Sequence, residues 1–372
     1  MRRFSILLLA VTAPGFAATL PMDSERGDKL FQSQGCVQCH KLKGSGGIVA
    51  NDLGRVLDRA YTPADLASTM WNHAPQMWKA IRDRSLKVGD LDPQNAADLF
   101  ASFYSARYFD VPGDAARGKY QFSDKTCESC HGLTSPVNEK AKPVAKWTTL
   151  GDPVSVVSAM WVHSPEMRNE LQRRNKQFPT MTAQELTDIL VYLRNATPAR
   201  NAPASFRITA SAGAEQLASQ KGCVSCHKDP KVSLSKSQTP LTLTAVAAAM
   251  WNHASMKVSG KEIAHPKLEP EEMRVLVGYY WAAQFFQGTG VAARGKKVFT
   301  AKRCATCHAG GGAGPVLSSK AGTWNGITMV SGLWRHGPTM LSRMEKDHIP
   351  WPVFKAGEMD DLIAFMNSAP GK

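Results

Sequence analysis

The stretch Cys36-Val37-Gln38-Cys39-His40 recurs as Cys127-Glu128-Ser129-Cys130-His131, Cys223-Val224-Ser225-Cys226-His227 and Cys304-Ala305-Thr306-Cys307-His308, and the four copies use all eight cysteines of the chain. Cys-X-X-Cys-His is the spacing that attaches a c-type haem through two thioether bonds and an iron-ligating histidine. Cys-X-X-Cys pairs also build tetrahedral zinc sites, but zinc does not require a histidine directly after every pair. Four haem c groups are therefore expected, bound covalently through Cys36, Cys39, Cys127, Cys130, Cys223, Cys226, Cys304 and Cys307. His40, His131, His227 and His308 would hold the proximal face of each iron.

Outward from the motifs, the N-terminus carries Arg2 and Arg3, an apolar run from Phe4 to Ala13 and a small-residue site at Gly15-Phe16-Ala17. This is the pattern of a secretory signal peptide over residues 1–17. The run is too short for a permanent membrane anchor, and no later segment approaches the roughly 20 apolar residues of a membrane helix. A periplasmic or extracellular protein is expected, with no permanent membrane anchor. Cysteines in exported proteins usually form disulfides. Here every thiol is committed to a porphyrin, which takes over as the covalent staple.

The first cysteines stand at 36, 127, 223 and 304, a period of 81 to 96 residues, the size of a small domain. Each unit opens with a glycine and an apolar residue one helical turn later: Gly27/Phe31, Gly118/Phe122, Gly213/Leu217 and Gly295/Phe299. Each closes with an amphipathic segment expected to be helical, at 95–108, 182–195, 271–285 and 358–368. The second has a capping-box start, Thr182-Ala183-Gln184-Glu185.

A glycine and an aromatic on a first helix, Cys-X-X-Cys-His at its end, and a closing helix such as Asp361-Leu362-Ile363-Ala364-Phe365 resemble class I cytochrome c. The resemblance covers nearly the whole chain after residue 17, once per repeat. It implies an all-α fold of four tandem cytochrome c-like helical domains, each around one covalent haem, whose opening glycine lets the first and last helices cross closely. The facing residue would be Tyr192, Tyr279 or Phe365 in repeats 2 to 4. Repeat 1 departs, with Ser102 at that position and Phe103 beside it.

The expected domains are 18–110, 111–199, 209–289 and 290–372, with 200–208 as a linker. The junctions 108–118 and 285–295 echo one another and both end in Ala-Ala-Arg-Gly, whereas 197–205 is rich in proline and alanine without periodicity. That contrast predicts two dihaem halves, repeats 1 with 2 and 3 with 4, joined by a hinge.

A second signature repeats as Met70-Trp71-Asn72-His73-Ala74-Pro75-Gln76-Met77, Met160-Trp161-Val162-His163-Ser164-Pro165-Glu166-Met167, Met250-Trp251-Asn252-His253-Ala254-Ser255-Met256 and Leu333-Trp334-Arg335-His336-Gly337-Pro338-Thr339-Met340. In repeat 1 its helix is expected to start at Thr62-Pro63, threonine as cap and proline in the first turn. A haem iron held by one histidine accepts a sixth ligand from the opposite face, histidine or methionine in cytochromes.

Histidine is the favoured reading, at His73, His163, His253 and His336. The Trp-X-His spacing is constant, while the methionine slips from four residues after the histidine to three in repeat 3. A proline two residues after the histidine disfavours helix at the residue before it, so the methionines are expected beyond the helix end. Of ten histidines, four are proximal and four lie in this signature, leaving His265 and His348. Met77, Met167, Met256 and Met340 are the alternative, since class I cytochromes ligate iron through methionine in the loop before the last helix. In that loop the chain departs from the family, with His348-Ile349-Pro350-Trp351-Pro352 in repeat 4 and Phe178-Pro179-Thr180-Met181 in repeat 2. If methionine is the ligand, the histidines would bind a haem propionate and the tryptophans would be packing. The choice sets the potential, because methionine raises it relative to two histidines.

Six-coordinate irons leave no position for a substrate, so the chain reads as an electron carrier and not as an enzyme. The formal net charge is +14, two units of it from Arg2 and Arg3, and ionised haem propionates lower it further. The remaining positive face suits a redox partner with an acidic docking face. The basic residues are scattered, so nucleic acid is not an expected partner. Other readings are a haem subunit of a membrane-associated dehydrogenase or quinol-oxidising respiratory complex, a conductive filament subunit, and a peroxidase-type enzyme. The last would need an open iron in repeat 3, the irregular copy, with His265 as distal acid-base group.

Overall fold

The computed structural model describes residues 22–42, 44–54, 62–105, 113–198, 213–229, 232–233, 241–258, 261–262, 266–286, 290–317 and 323–368. The segment 1–17, the linker 200–208 and His265 lie outside the described residues. Repeat 1 forms α1 (Ser24–Ser33), α2 (Pro63–Asp83) and α3 (Pro93–Ser105). Repeat 2 forms α4 (Ala115–Asp124), α5 (Pro153–Arg173) and α6 (Ala183–Asn195). Repeat 3 has the short α7 (Ala214–Gln220) and α8 (Cys223–His227), then α9 (Leu243–His253) and α10 (Pro270–Phe286). Repeat 4 has α11 (Ala292–Ala301), α12 (Ala305–His308), α13 (Gly326–Lys346) and α14 (Glu358–Asn367). Two two-residue antiparallel ladders, Lys41–Leu42 with Ser45–Gly46 and Lys257–Val258 with Lys261–Glu262, are the strands among the described residues. The chain is mostly helical.

The helix starts follow from the capping chemistry. Thr62 accepts the Asp65 N–H while Asp65 returns to the Thr62 N–H, with Pro63 opening α2, and Thr182 and Glu185 make the same reciprocal pair ahead of α6. These caps stand where the sequence places them.

First and last helices of repeats 1, 2 and 4 cross at the opening glycine. A Cβ on Gly27 would lie 2.0 Å from Asp98 O, and one on Gly118 2.0 Å from Asp188 O, so any side chain there would force the backbones apart. The same crossing at Gly295 meets Asp361 O and Phe365. Ser102 faces Gly27 in repeat 1, and Phe103 instead meets Phe31 edge-on at 6.1 Å.

Each of these three crossings is fastened by a charged clasp. The arginine just before the glycine reaches a buried aspartate on the closing helix: Arg26 to Asp98, Arg117 to Asp188 and Arg294 to Asp361, each through Nε and Nη2 at 2.7 to 2.9 Å. The same aspartate accepts the backbone N–H of Asp23, Asp114 or Val291. Repeat 3 has Val275 where the aspartate would stand, and there Tyr279 donates its hydroxyl to Glu215 instead.

The repeats pack in an order that the junctions do not foretell. Helix α2 lies against α13, α13 against α3, and α14 against α2, joining repeats 1 and 4; α5 and α6 lie against α9, and α10 against α5, joining repeats 2 and 3. The expected grouping of 1 with 2 and 3 with 4 is thereby corrected. Similar linkers record similar sequence; they carry no information about which helix faces are complementary. The two pairs meet where α10 reaches repeat 1, with Trp281 stacked on Phe100 (5.6 Å between ring centres, 10° between planes) and 4.2 Å from Tyr104. Residues 96–105 of α3 are buried on every face.

Candidate functional site

Each Cys-X-X-Cys-His motif is launched by a residue in the left-handed region: Gly35 (φ 79°), Thr126 (φ 62°), Gly222 (φ 79°) and Arg303 (φ 63°). The reversal turns the chain from the end of the first helix into a tight helical turn over the cysteines, at Cys36–Gln38, Cys127–Ser129, Cys223–His227 and Ala305–His308. The histidine N–H then closes on the first cysteine's carbonyl at 2.9 Å in repeats 1, 2 and 4.

All four motif histidines are oriented in the same way. Nδ1 of His40 lies 2.9 Å from Asn51 O, that of His131 3.4 Å from Lys142 O, that of His227 2.7 Å from Val232 O and that of His308 2.9 Å from Pro315 O. A carbonyl only accepts, so Nδ1 carries the proton and Nε2 of the neutral ring keeps its lone pair. This is the second-layer contact that fixes a metal-ligating histidine. Burial lowers the pKa of His40 and His131, outweighing the backbone bonds to Asn51 and Lys142; nearby His73 and His163 add to the lowering. Both rings are thus held neutral, as a ligand must be.

No disulfide joins any of the eight cysteines. Burial pushes Cys36, Cys127 and Cys304 up to about 11, and raises Cys223 as well. Zinc-binding cysteines are thiolates, and among the described residues no three His, Cys, Asp or Glu side chains converge as a metal cage. The chemistry of the donor set fits thioether-linked haem, which asks for two cysteines and one histidine on one face, and not tetrahedral zinc.

The second signature is placed differently from the sequence expectation. Helices α2, α5 and α13 run on through Pro75, Pro165 and Pro338 and end at Asp83, Arg173 and Lys346. A proline inside a helix frees the carbonyl four residues earlier. That carbonyl is reused here: Trp71 O accepts Trp351 Nε1–H at 2.8 Å, and Trp161 O accepts the Ser164 hydroxyl at 2.8 Å. Met77, Met167 and Met340 therefore lie one turn beyond His73, His163 and His336 on the same helix face. Only in repeat 3 does the helix end at the histidine, leaving Met256 beyond it and 42% exposed.

Of the four signature histidines, His73 and His253 stand opposite a motif histidine. The ring centres of His40 and His73 are 6.3 Å apart and those of His227 and His253 5.8 Å. Two imidazoles sharing one metal at the ~2 Å bond typical of a histidine nitrogen have ring centres about 6 Å apart. His163 and His336 are exposed; Nδ1 of His163 is 3.9 Å from Glu166.

The tryptophans of the signature are inter-repeat fasteners. Trp161 Nε1–H donates to Pro266 O (3.0 Å), Trp251 Nε1–H to Pro179 O (2.8 Å) and Trp334 Nε1–H to Gly89 O (2.9 Å). Each acceptor lies in the loop before the partner repeat's closing helix. Asn72 donates to Phe354 O and accepts the Phe354 N–H, and Asn252 does the same with Met181. The loops that in class I cytochromes supply a methionine ligand are here engaged with a neighbouring repeat. His348 sits exposed in a left-handed conformation (φ 53°).

Sequence reasoning missed the Arg-Gly and Asp pairing of the clasps and the role of the asparagines. Both had a signal: Arg-Gly occurs at 26–27, 117–118 and 294–295, and Trp-Asn-His in repeats 1 and 3 only.

Residues 290–366 match the family described as Cytochrome C oxidase, cbb3-type, subunit III. Comparison with curated proteins and with solved structures finds no match. The matched segment spans α11 to most of α14 and includes the fourth motif, Cys304 to His308, the Arg294–Asp361 clasp and the helix crossing at Gly295. Residues 290–366 are therefore a cytochrome c-type domain, which implies covalently bound haem c and an electron-transfer role.

Proposed function

We propose that all four Cys-X-X-Cys-His motifs hold covalent haem c, and that the chain is an exported tetrahaem cytochrome passing electrons between partner proteins. The observation that carries this reading is the fourfold repetition of one local geometry, in which a carbonyl takes the Nδ1 proton and leaves Nε2 of His40, His131, His227 and His308 bare. When bound, haem supplies a one-electron iron couple whose potential depends on its axial ligands. The chain's residues do the rest. The cysteines would hold the porphyrin, and the carbonyl-anchored histidines would supply its iron with a nitrogen ligand.

Two dihaem units follow from the seams: repeats 1 and 4 in one, 2 and 3 in the other. Export is supported by the charged and apolar start of the chain, and among the described residues no helix is long and apolar enough to cross a membrane. An acidic docking face on the partner matches the net positive charge. A second reading, a haem subunit within a respiratory complex, is favoured by the family matched at 290–366, described as an oxidase subunit.

Mass measurement of the protein matured with its haem-attachment machinery tests the reading. Four haem additions, lowered by one when a motif's cysteine pair is changed to alanine, are expected. Fewer than four, or a zinc content that follows the cysteines, would overturn it. Co-purification with a dehydrogenase or oxidase subunit separates the two physiological settings.

A further inference from the structure

The four sites do not offer the same sixth ligand. In repeats 1 and 3 the signature histidine is anchored: Nδ1 of His73 lies 2.6 Å from Thr69 O and that of His253 2.7 Å from Ala249 O. Each acceptor is the carbonyl one turn earlier on the same helix. The carbonyl takes an Nδ1–H, so Nε2 is the nitrogen left for a metal, and each ring stands opposite the motif histidine, 6.3 and 5.8 Å between ring centres. The methionines of these two repeats are occupied elsewhere or out of reach. Met77 packs into the seam beside Trp78 and Leu333, and Met256 lies beyond the end of α9 and is 42% exposed.

Repeats 2 and 4 show the reverse. Among the described residues His163 has no carbonyl anchor; it is exposed, with Nδ1 3.9 Å from Glu166. His336 is exposed and makes no hydrogen bond or ring contact among the described residues. One turn on, the proline-tolerant helices carry Met167 and Met340 in half-buried positions. Met167 packs against the core that also takes in Cys127.

The neighbouring residue separates the same two classes. His73 and His253 follow Asn72 and Asn252, whose carboxamides are locked to the N–H and C=O of Phe354 and Met181 in the partner loop. His163 and His336 follow Val162, which is 47% exposed, and Arg335, which pairs with Asp90 at 3.1 Å. The asparagine lock fixes how α2 and α9 are rotated against the partner loop at the residue just before the histidine.

We infer that the irons are of two kinds, His40/His73 and His227/His253 in repeats 1 and 3, and His131/Met167 and His308/Met340 in repeats 2 and 4. Repeat 1 packs on repeat 4, and repeat 3 on repeat 2. Each packed pair therefore joins one histidine-ligated iron with one methionine-ligated iron, a lower potential beside a higher one. This rests on the reading of four haem sites given above. A methionine donates through a neutral thioether and needs no proton anchored elsewhere, which is why a site can use it where no carbonyl fixes the histidine.

The oxidised holoprotein, with haem content established by mass, is examined by near-infrared magnetic circular dichroism. Two of four irons are expected to show the sulfur-to-iron charge-transfer band and two the signature of paired histidines. Met167→Leu and Met340→Leu should each remove half of the sulfur band; Met77→Leu, Met256→Leu, His163→Ala and His336→Ala should leave it intact. Met167→His, which keeps a six-coordinate iron, guards against a variant that fails to mature and should convert one quarter of the irons to paired histidines. A sulfur band absent from a protein carrying four haems overturns the inference, as does one from all four irons or one that survives both Met167→Leu and Met340→Leu. A protein carrying fewer than four haems fails the earlier reading instead.

Discussion

The two inter-repeat seams use the same parts with different chemistry. Between repeats 2 and 3 the fastening is polar and buried: Arg274 bridges to Asp152 at 3.0 Å, with side chains only 16% and 6% exposed, and also donates to the Ser155 hydroxyl at 2.7 Å. The 2–3 seam also stacks Phe178 on Trp251 at 4.6 Å, but between repeats 1 and 4 the fastening is a larger aromatic cluster. Trp351 stacks on Trp71 at 5.3 Å and meets Trp78 edge-on at 5.5 Å, and Phe354 meets Trp71 edge-on at 5.5 Å. The ion pair of this second seam, Arg335 with Asp90, is roughly half exposed and contributes little. A repeated sequence signature thus fixes where repeats meet, while the residues around it fix what a seam responds to.

The largest expected effect breaks the polar seam alone. Arg274→Ala leaves Asp152 buried beside the start of α5 without its counter-charge, a change that costs about 3 kcal/mol or more. Calorimetry should show a lowered transition for the 2–3 pair, and hydrogen exchange should show α9 and α10 opening while α2 and α13 stay protected. Equal loss of protection in both seams would remove the distinction.

Asn252→Ala and Asn72→Ala are a matched intermediate test. Each deletes two hydrogen bonds and strands a backbone N–H and a carbonyl in a partly buried loop, about 2 kcal/mol in each case. The 1–4 seam retains a cluster of four rings and the 2–3 seam the Phe178–Trp251 pair, so Asn72→Ala should open less of its seam by hydrogen exchange than Asn252→Ala does.

The smallest effect is one of pH and belongs to the 1–4 seam. Burial, with the nearby charges of Asp65 and Asp361, raises the pKa of the Asp360 carboxyl to about 6. A carboxyl raised in the folded state costs nothing while protonated in both states. It destabilises as pH climbs from its ordinary value of 3.8 through about 6, by about 1–2 kcal/mol once solvent screening is allowed for. Asp360→Asn should flatten urea-unfolding stability over that window and leave the protein more stable at pH 7. Arg117 and its companion bonds hold Asp188 below the ordinary range despite burial, and Arg294 does so for Asp361. Their contribution is complete above the ordinary carboxylate value and is lost as pH falls through their depressed values. The two windows are therefore separable.

Much of the local structure was legible because it is decided within a few residues of the chain. Thr62-Pro63 and Thr182-Ala183-Gln184-Glu185 cap their helices through residues three apart, and Cys-X-X-Cys-His closes the same turn in repeats 1, 2 and 4. A glycine that must admit a backbone at contact distance leaves its mark at 27, 118 and 295. The proline rule misled at Pro75, because the local disfavour at Ala74 is outweighed when Trp351, nearly three hundred residues away, gives the freed Trp71 carbonyl the donor that the proline lacks.

What the sequence determined by itself was the count and spacing of the motifs, the helix starts, and the pairing of opening with closing helices. Those depend on short-range geometry and on residue types that tolerate few alternatives. Only the tertiary structure decided that repeat 1 packs on 4 and 2 on 3, and that of four equivalent-looking histidines His73 and His253 turn inward while His163 and His336 stay exposed. The reason is physical: the helices that carry these histidines are held against a partner loop, through Asn72 on Phe354 and Asn252 on Met181, and a partner brought near by folding has no position in a linear pattern.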